Sequence, residues 1–122
     1  MRKLLATAGW AVACAVLLGG IAANVVSAAS DPAVVAQGKE IAFDRKKGNC
    51  LACHAIDGGD LPGNIGPPLV AMDARFPDKE RLRAQIWDPT AANPNTMMPP
   101  FGLHGILTED EIDKITEYIH TL

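Results

Sequence analysis

Past its N-terminal apolar stretch the chain keeps only two cysteines, Cys50 and Cys53, three residues apart, with His54 immediately behind them. This spacing restricts the fold more than any other feature. Residues i and i+3 lie on one side of a helical turn, so both sulfurs face one place and the imidazole follows. About 94 residues remain after the leader, enough for one domain with a modest core. Its aromatics are only Phe43, Phe76, Trp87, Phe101 and Tyr118. Small exported domains commonly draw stability from disulfides or metals. With one disulfide at most available, a bound apolar cofactor is the more attractive staple.

The leader begins with Arg2 and Lys3, then runs without a charge from Leu4 to Ser30. A basic start, an apolar middle and a small-residue end, here "VVSAAS", form a secretory signal pattern. The expected organisation is a signal peptide over 1–28, cleaved after Ala28 or Ala29, and one domain over 29–122. The run is longer than an average signal core, so an uncleaved anchor is the alternative, although Gly19, Gly20 and Asn24 interrupt it. Cys14 lies inside the run, where too short an apolar stretch precedes it and Ala11 is a poor match for a lipoprotein site. After cleavage, nine Lys and Arg face 14 Asp and Glu, a net charge of about −5. That balance leaves no basic patch of the kind that holds nucleic acid. The expected location is the periplasm, with no membrane contact once the signal is gone.

Residues 30–49, "SDPAVVAQGKEIAFDRKKGN", read as a first helix, with Asp31 as cap, Pro32 at its first position and Gly48 ending it. Residues 57–70, "DGGDLPGNIGPPLV", are too rich in Gly and Pro for regular structure and read as a shaped loop. "PDKERLRAQIWD" is a short helix capped by Asp78 and stopped by Pro89. "PTAANPNTMMPPFG" is a second Pro-rich loop. "TEDEIDKITEYIHTL" is the clearest helix: Thr108 and Glu111 make a capping box, and Ile112, Ile115, Tyr118, Ile119 and Leu122 line one face. No segment alternates as a strand. The expected fold is all-α with two long loops, and loops that long in a small domain usually have a function.

Three chemistries use a C-x-x-C pair. A redox dithiol usually opens a helix in a βαβ setting, and no strands are available to build one. A structural zinc wants four ligands, yet only His54, His104 and His120 could add to the two thiols. A c-type haem uses all three motif residues: Cys50 and Cys53 for thioethers to the two vinyl groups, and His54 for the iron. One covalent haem c is therefore the expected cofactor. A proximal imidazole usually gives its other N–H to a carbonyl or carboxylate, and the Pro67 carbonyl in "IGPPL" is the candidate.

The sixth ligand decides what such a haem does. Candidates are Met72, Met97, Met98, His104 and His120. A Met in a loop is more often a gap filler, but Met98 is held by Pro99 and Pro100 behind it and is the choice, with Met97 second. Met/His ligation favours electron transfer, whereas an open position would make a haem enzyme or a gas sensor. His120 reads as a solvated residue near a helix end. Trp87 offers an indole N–H to a haem propionate or simply packs in the core. Lys46 and Lys47 lie close to the expected haem edge, where they could steer a partner.

The order of N-terminal helix, C-x-x-C-H, G-P-x-L, M-P and C-terminal helix resembles the class I cytochrome c fold over nearly all of the mature chain. Gly38 in the first helix and Ile115 with Tyr118 in the last look like the faces that cross in that fold. "GNCLACH", "GNIGPPL", "QIWDPTAANPNTMMPPFG" and "LTEDEI" together resemble the SoxX family, the monohaem subunits of SoxAX cytochromes. The resemblance implies thioethers at Cys50 and Cys53, proximal His54 and distal Met98. It also implies a SoxA-type haem subunit in a heterodimer, with a SoxYZ-type carrier protein and a small soluble cytochrome as transient partners. Such a pair joins thiosulfate to a cysteine of the carrier. The chain read here has no thiol left after haem attachment and would relay electrons singly, being inert alone. A free soluble carrier feeding a terminal oxidase is the alternative.

Overall fold

The structure is a computed structural model and describes residues 30–122. The expected signal peptide, its cleavage positions and Cys14 lie outside the described residues. Four α-helices are present among the described residues: α1 (Pro32–Phe43), α2 (Met72–Arg75), α3 (Lys79–Trp87) and α4 (Glu109–His120). The described residues contain no strand, so the fold is all-α.

Helix α1 starts as its sequence demands. The Asp31 carboxylate accepts from the Ala33 amide at 2.8 Å and Pro32 occupies the first turn. It stops at Phe43, several residues before Gly48, where the sequence suggested an end. Asp44 is the reason. Its carboxylate accepts from the Lys46 amide at 2.8 Å and its carbonyl from the Lys47 and Asn49 amides, each at 3.0 Å. An Asp that binds nearby backbone offers the chain an alternative to the helix. The segment therefore turns at 45–48 and delivers Asn49, at φ 48°, into the cysteine motif.

Helix α4 packs across α1, and Gly38 makes the approach possible. A Cβ on Gly38 would lie 2.0 Å from the Lys114 carbonyl oxygen and 2.9 Å from Tyr118 Cβ. Beside this crossing the Tyr118 ring meets Phe43 edge-on, with centroids 6.1 Å apart. The α4 capping box forms as expected, with Thr108 and Glu111 each accepting from the other's backbone amide. Ile112, Ile115 and Ile119 are buried to 3% exposure or less, each contributing about 1.5–3 kcal/mol by transfer from water. The polar side of α4 is held electrostatically. Glu109, Asp110, Glu111, Asp113 and Glu117 supply the carboxylate of every ion pair among the described residues.

Helix α3 is capped by Asp78, which accepts from the Glu80 amide at 3.0 Å. Asp88 ends it and at once caps a single 3₁₀ turn over Pro89–Ala91, regular structure that the Pro-rich reading of this loop did not include. The one-turn α2 was likewise missed. It is tied to the C-terminus, because the Met72 amide donates to the Leu122 carbonyl at 2.7 Å. His120 is not simply solvated: its Nε2 lies 3.0 Å from the Phe76 carbonyl just beyond α2.

Candidate haem site

The cysteine motif folds as one tight turn. Cys50–Ala52 is 3₁₀, and the His54 amide reaches back to the Cys50 carbonyl at 2.9 Å. The 57–70 loop then closes over this turn by three backbone hydrogen bonds: Gly63 to the Leu51 carbonyl, Gly66 to that of Cys53, and Leu69 to that of Ala55, at 2.7, 2.8 and 2.9 Å. The Gly and Pro content of the loop has a use here. A Cβ at Gly66 would sit 2.4 Å from the His54 ring, so only glycine lets the loop lie flat on the imidazole. One residue on, the Pro67 carbonyl is 2.7 Å from His54 Nδ1. A carbonyl only accepts, so the neutral ring carries its proton on Nδ1 and keeps the Nε2 lone pair free.

The second loop faces this turn. Asn93 shapes it, its carboxamide oxygen accepting from the Asn95 amide and its carbonyl from that of Thr96, each at 3.0 Å. Thr96 Oγ1 in turn holds the Met98 amide at 3.1 Å. Met98 is partly buried and packs on the core, whereas Met97 is 78% exposed. Both lie on the wall of the cavity between the loops. Met72 also reaches that wall but is buried at 2% exposure, with Arg75 donating to its sulfur at 3.2 Å. His104, His120 and Trp87 are not on the wall. The Trp87 ring instead lies against Gly102, where a Cβ would come within 2.1 Å, and under the Arg83 guanidinium 5.5 Å away. That favours packing over a propionate contact.

The cavity has a volume of about 700 Å³, in the range of small-molecule and cofactor sites. Leu82, Ile86, Phe101, Leu107, Ile115 and Ile119 make its floor and sides. Cys50, Cys53 and His54 stand together on one wall, with both cysteines as free thiols. Burial pushes the Cys50 thiol up to about 11. The charged side chains on the wall are all cationic: Arg45, Lys46, Lys47 and Arg75. No group of three or more His, Cys, Asp and Glu is placed to hold a bare metal ion among the described residues. Two thiols and an oriented imidazole, in an apolar slot edged by cations, fit a flat apolar ring that carries carboxylates, and haem is such a group.

Comparison with known proteins bears on the same residues. Among curated proteins, an uncharacterized lipoprotein of Aquifex aeolicus (strain VF5) is 41% identical over 76 residues, covering 62% of this chain and 37% of that protein. The cbb3-type cytochrome c oxidase subunit CcoP of Azospirillum sp. (strain B510) is 34% identical over 84 residues, covering 61% of this chain and 27% of that one. This chain therefore spans about a third of the length of the curated relatives it matches. Among solved structures, a chain in the crystal structure of SoxXA from P. pantotrophus superposes with a TM-score of 0.65 at 25% identity, covering 78% of this chain and 83% of that chain. The family description "Cytochrome c" matches residues 35–122. Because that match takes in α1 from Val35, the attachment turn, both loops and α4, this chain belongs to the cytochrome c family, and with the family comes covalently attached haem c.

Proposed function

We propose that this protein is a periplasmic one-electron relay subunit that works beside a SoxA-type haem protein in thiosulfate oxidation. Cys50 and Cys53 would hold the haem by thioethers, and His54 Nε2 and the Met98 sulfur would be its axial donors. Pro67 takes the role of orienting acceptor, since its carbonyl fixes the His54 proton on Nδ1. When bound, the haem supplies a one-electron couple, and Met/His ligation sets that couple for electron acceptance. The protein's part would be to hold the imidazole still, offer the Met98 sulfur from the second loop and exclude water with the Ile and Leu floor.

The observation that carries the electron-carrier part is that His54 and Met98 stand on the wall of one cavity. The finer assignment is supported by the likeness to a chain of SoxXA and by the tryptophan-to-methionine loop that resembles the SoxX family. A SoxYZ-type carrier protein and a small soluble cytochrome would be the transient partners. The subunit would not be catalytic alone, because attachment consumes both cysteines of the described chain. A second reading, electron delivery to a terminal oxidase, rests on the similarity to an oxidase subunit.

Recovering the tagged mature protein from its own periplasm and staining the gel for haem separates the two. A second, larger haem-c band at constant ratio supports the relay subunit, and thiosulfate conjugation by the pair completes it. A single small haem band contradicts it and leaves the oxidase-linked carrier.

A further inference from the structure

The His54 imidazole is held by one carbonyl, and the segment that carries this carbonyl must itself be held. Pro67 accepts from His54 Nδ1 at 2.7 Å. Neither Pro67 nor Pro68 has an amide hydrogen, so the pair cannot anchor itself by donating. Its neighbours donate on either side, Gly66 to the Cys53 carbonyl and Leu69 to that of Ala55. Among the described residues, the one side chain besides His54 that hydrogen-bonds to the proline pair is Arg75. Its Nη1 donates to the Pro68 carbonyl at 3.0 Å. The same nitrogen donates to the sulfur of the buried Met72 at 3.2 Å. Helix α2, which carries both residues, is fixed to the end of the chain. The Met72 amide donates to the Leu122 carbonyl at 2.7 Å, and the Phe76 carbonyl lies 3.0 Å from His120 Nε2. A continuous path therefore runs from the end of α4 through α2 and the Arg75 guanidinium to the seat of His54.

We propose that Arg75 is a positioning residue for the His54 imidazole: braced on α2, its guanidinium holds the Pro68 carbonyl so that the neighbouring Pro67 carbonyl stays on Nδ1. The coupling between the two carbonyls is stiff, because each proline ring fixes its own φ and leaves the pair few ways to turn independently. A carbonyl kept on Nδ1–H fixes the ring's tautomer and orientation and makes Nε2 the stronger donor. The guanidinium stays charged at any pH the protein meets, so this hold does not titrate away. Arg75 thus acts on the haem iron only through His54, and the inference rests on His54 being an axial donor, as the proposed function has it.

The test is hydrogen exchange, read by NMR on reduced, haem-loaded, isotope-labelled protein. Three protons report the seat: His54 Nδ1–H and the amides of Gly66 and Leu69. The Ile115 amide, within α4, reports opening of the whole domain. Arg75→Leu should speed exchange of the three seat protons by about five-fold, the loss expected for one partly solvated hydrogen bond from a charged donor. Ile115 should stay within about two-fold of wild type, as a local opening requires. Arg45→Leu removes another cation of the cavity wall, from the turn after α1, and should leave all four protons within about two-fold, because it takes away charge without touching the seat. Unchanged seat exchange in Arg75→Leu, equal acceleration at Ile115, or the same acceleration in Arg45→Leu would overturn the positioning role, the effect then being absent, global or a matter of lost charge. The reading beneath it fails by a different signal. In the reduced wild type the His54 ring protons must be displaced far upfield by the macrocycle. Ring protons at ordinary positions would remove His54 as an axial donor, and the role of Arg75 with it.

Discussion

The α1–α4 crossing and the loop-lined cavity are built on opposite terms. The crossing is closed by its own residues: helix lies on helix at Gly38, isoleucines are fully buried, and each acid of the α4 outer face has a cation. The cavity side has little regular structure. Its two loops are held by a few backbone hydrogen bonds, Asx-type turns and prolines, and between them lies a slot of about 700 Å³. Ile115 and Ile119 belong to both regions, buried in the core and on the cavity wall. The half that packs on itself fixes the geometry, and the half that needs a ligand to finish its core holds the chemistry.

The deepest cut into that contrast is to remove attachment. Cys50→Ala with Cys53→Ala should leave the floor residues without a covalent filler. Cooperative thermal unfolding followed by circular dichroism should be lost or fall by tens of degrees, as expected when a small domain loses its staple. An apo-protein that melts like the holo-protein would show that the loops finish their own core. Gly38→Val attacks the other half. With only 2.0 Å to the Lys114 carbonyl, the helices must separate at a cost of about 3 kcal/mol, measured by denaturant unfolding. Less than about 1 kcal/mol would mean the crossing is looser than the geometry implies.

Gly66→Ala is smaller in stability and sharper in function. It pushes the 57–70 loop off the His54 ring and weakens the Nδ1 bond to Pro67. The reduction potential and the His54 ring-proton shifts should both move, while the melting temperature moves less than for Gly38→Val. The α4 ion pairs carry a pH signature. The Lys47 ammonium, followed by the Thr108 amide, holds the Glu111 carboxyl below its ordinary range. At Glu117, burial opposes this, but Lys79 and Ser30 prevail and it too is lowered. Carboxyls with depressed folded values contribute stability above their unfolded value of about 4.3. That contribution is lost as pH falls through the folded values. Melting temperature should therefore decline below about pH 4, and Glu117→Gln should flatten the decline. Smallest of all is Tyr118→Phe. The Tyr118 hydroxyl is buried without a hydrogen-bond partner among the described residues, so its removal should be neutral or stabilising by about 1 kcal/mol. A clear loss would reveal a hidden partner.

The helices were legible because their signals are local. Asp31–Pro32, Asp78 and the Thr108–Glu111 box fix three starts, and the apolar stripe of α4 fixes its inner face. The early stop of α1 was not legible, because it comes from Asp44 binding the backbone of residues not yet placed. Met72–Arg75 makes too few contacts along the chain to show a period, and its tie to Leu122 is long-range. The motif Cys50, Cys53, His54 announces its chemistry in five consecutive residues. The flat seat that Gly66 gives His54, the clustering of cations at one mouth and the contact of His120 with Phe76 need the folded chain, since each joins residues that only tertiary structure brings together.

The central claim is that Met98, and not Met97 or an open position, stands opposite His54. Proton NMR of the reduced, haem-loaded protein tests it directly, because a methyl held over the macrocycle is displaced far upfield by the ring current. One such methyl should be present in wild type and in Met97→Ala and absent in Met98→Ala. Its loss in Met97→Ala with retention in Met98→Ala, or its absence from wild type together with rapid carbon monoxide binding, would contradict the account.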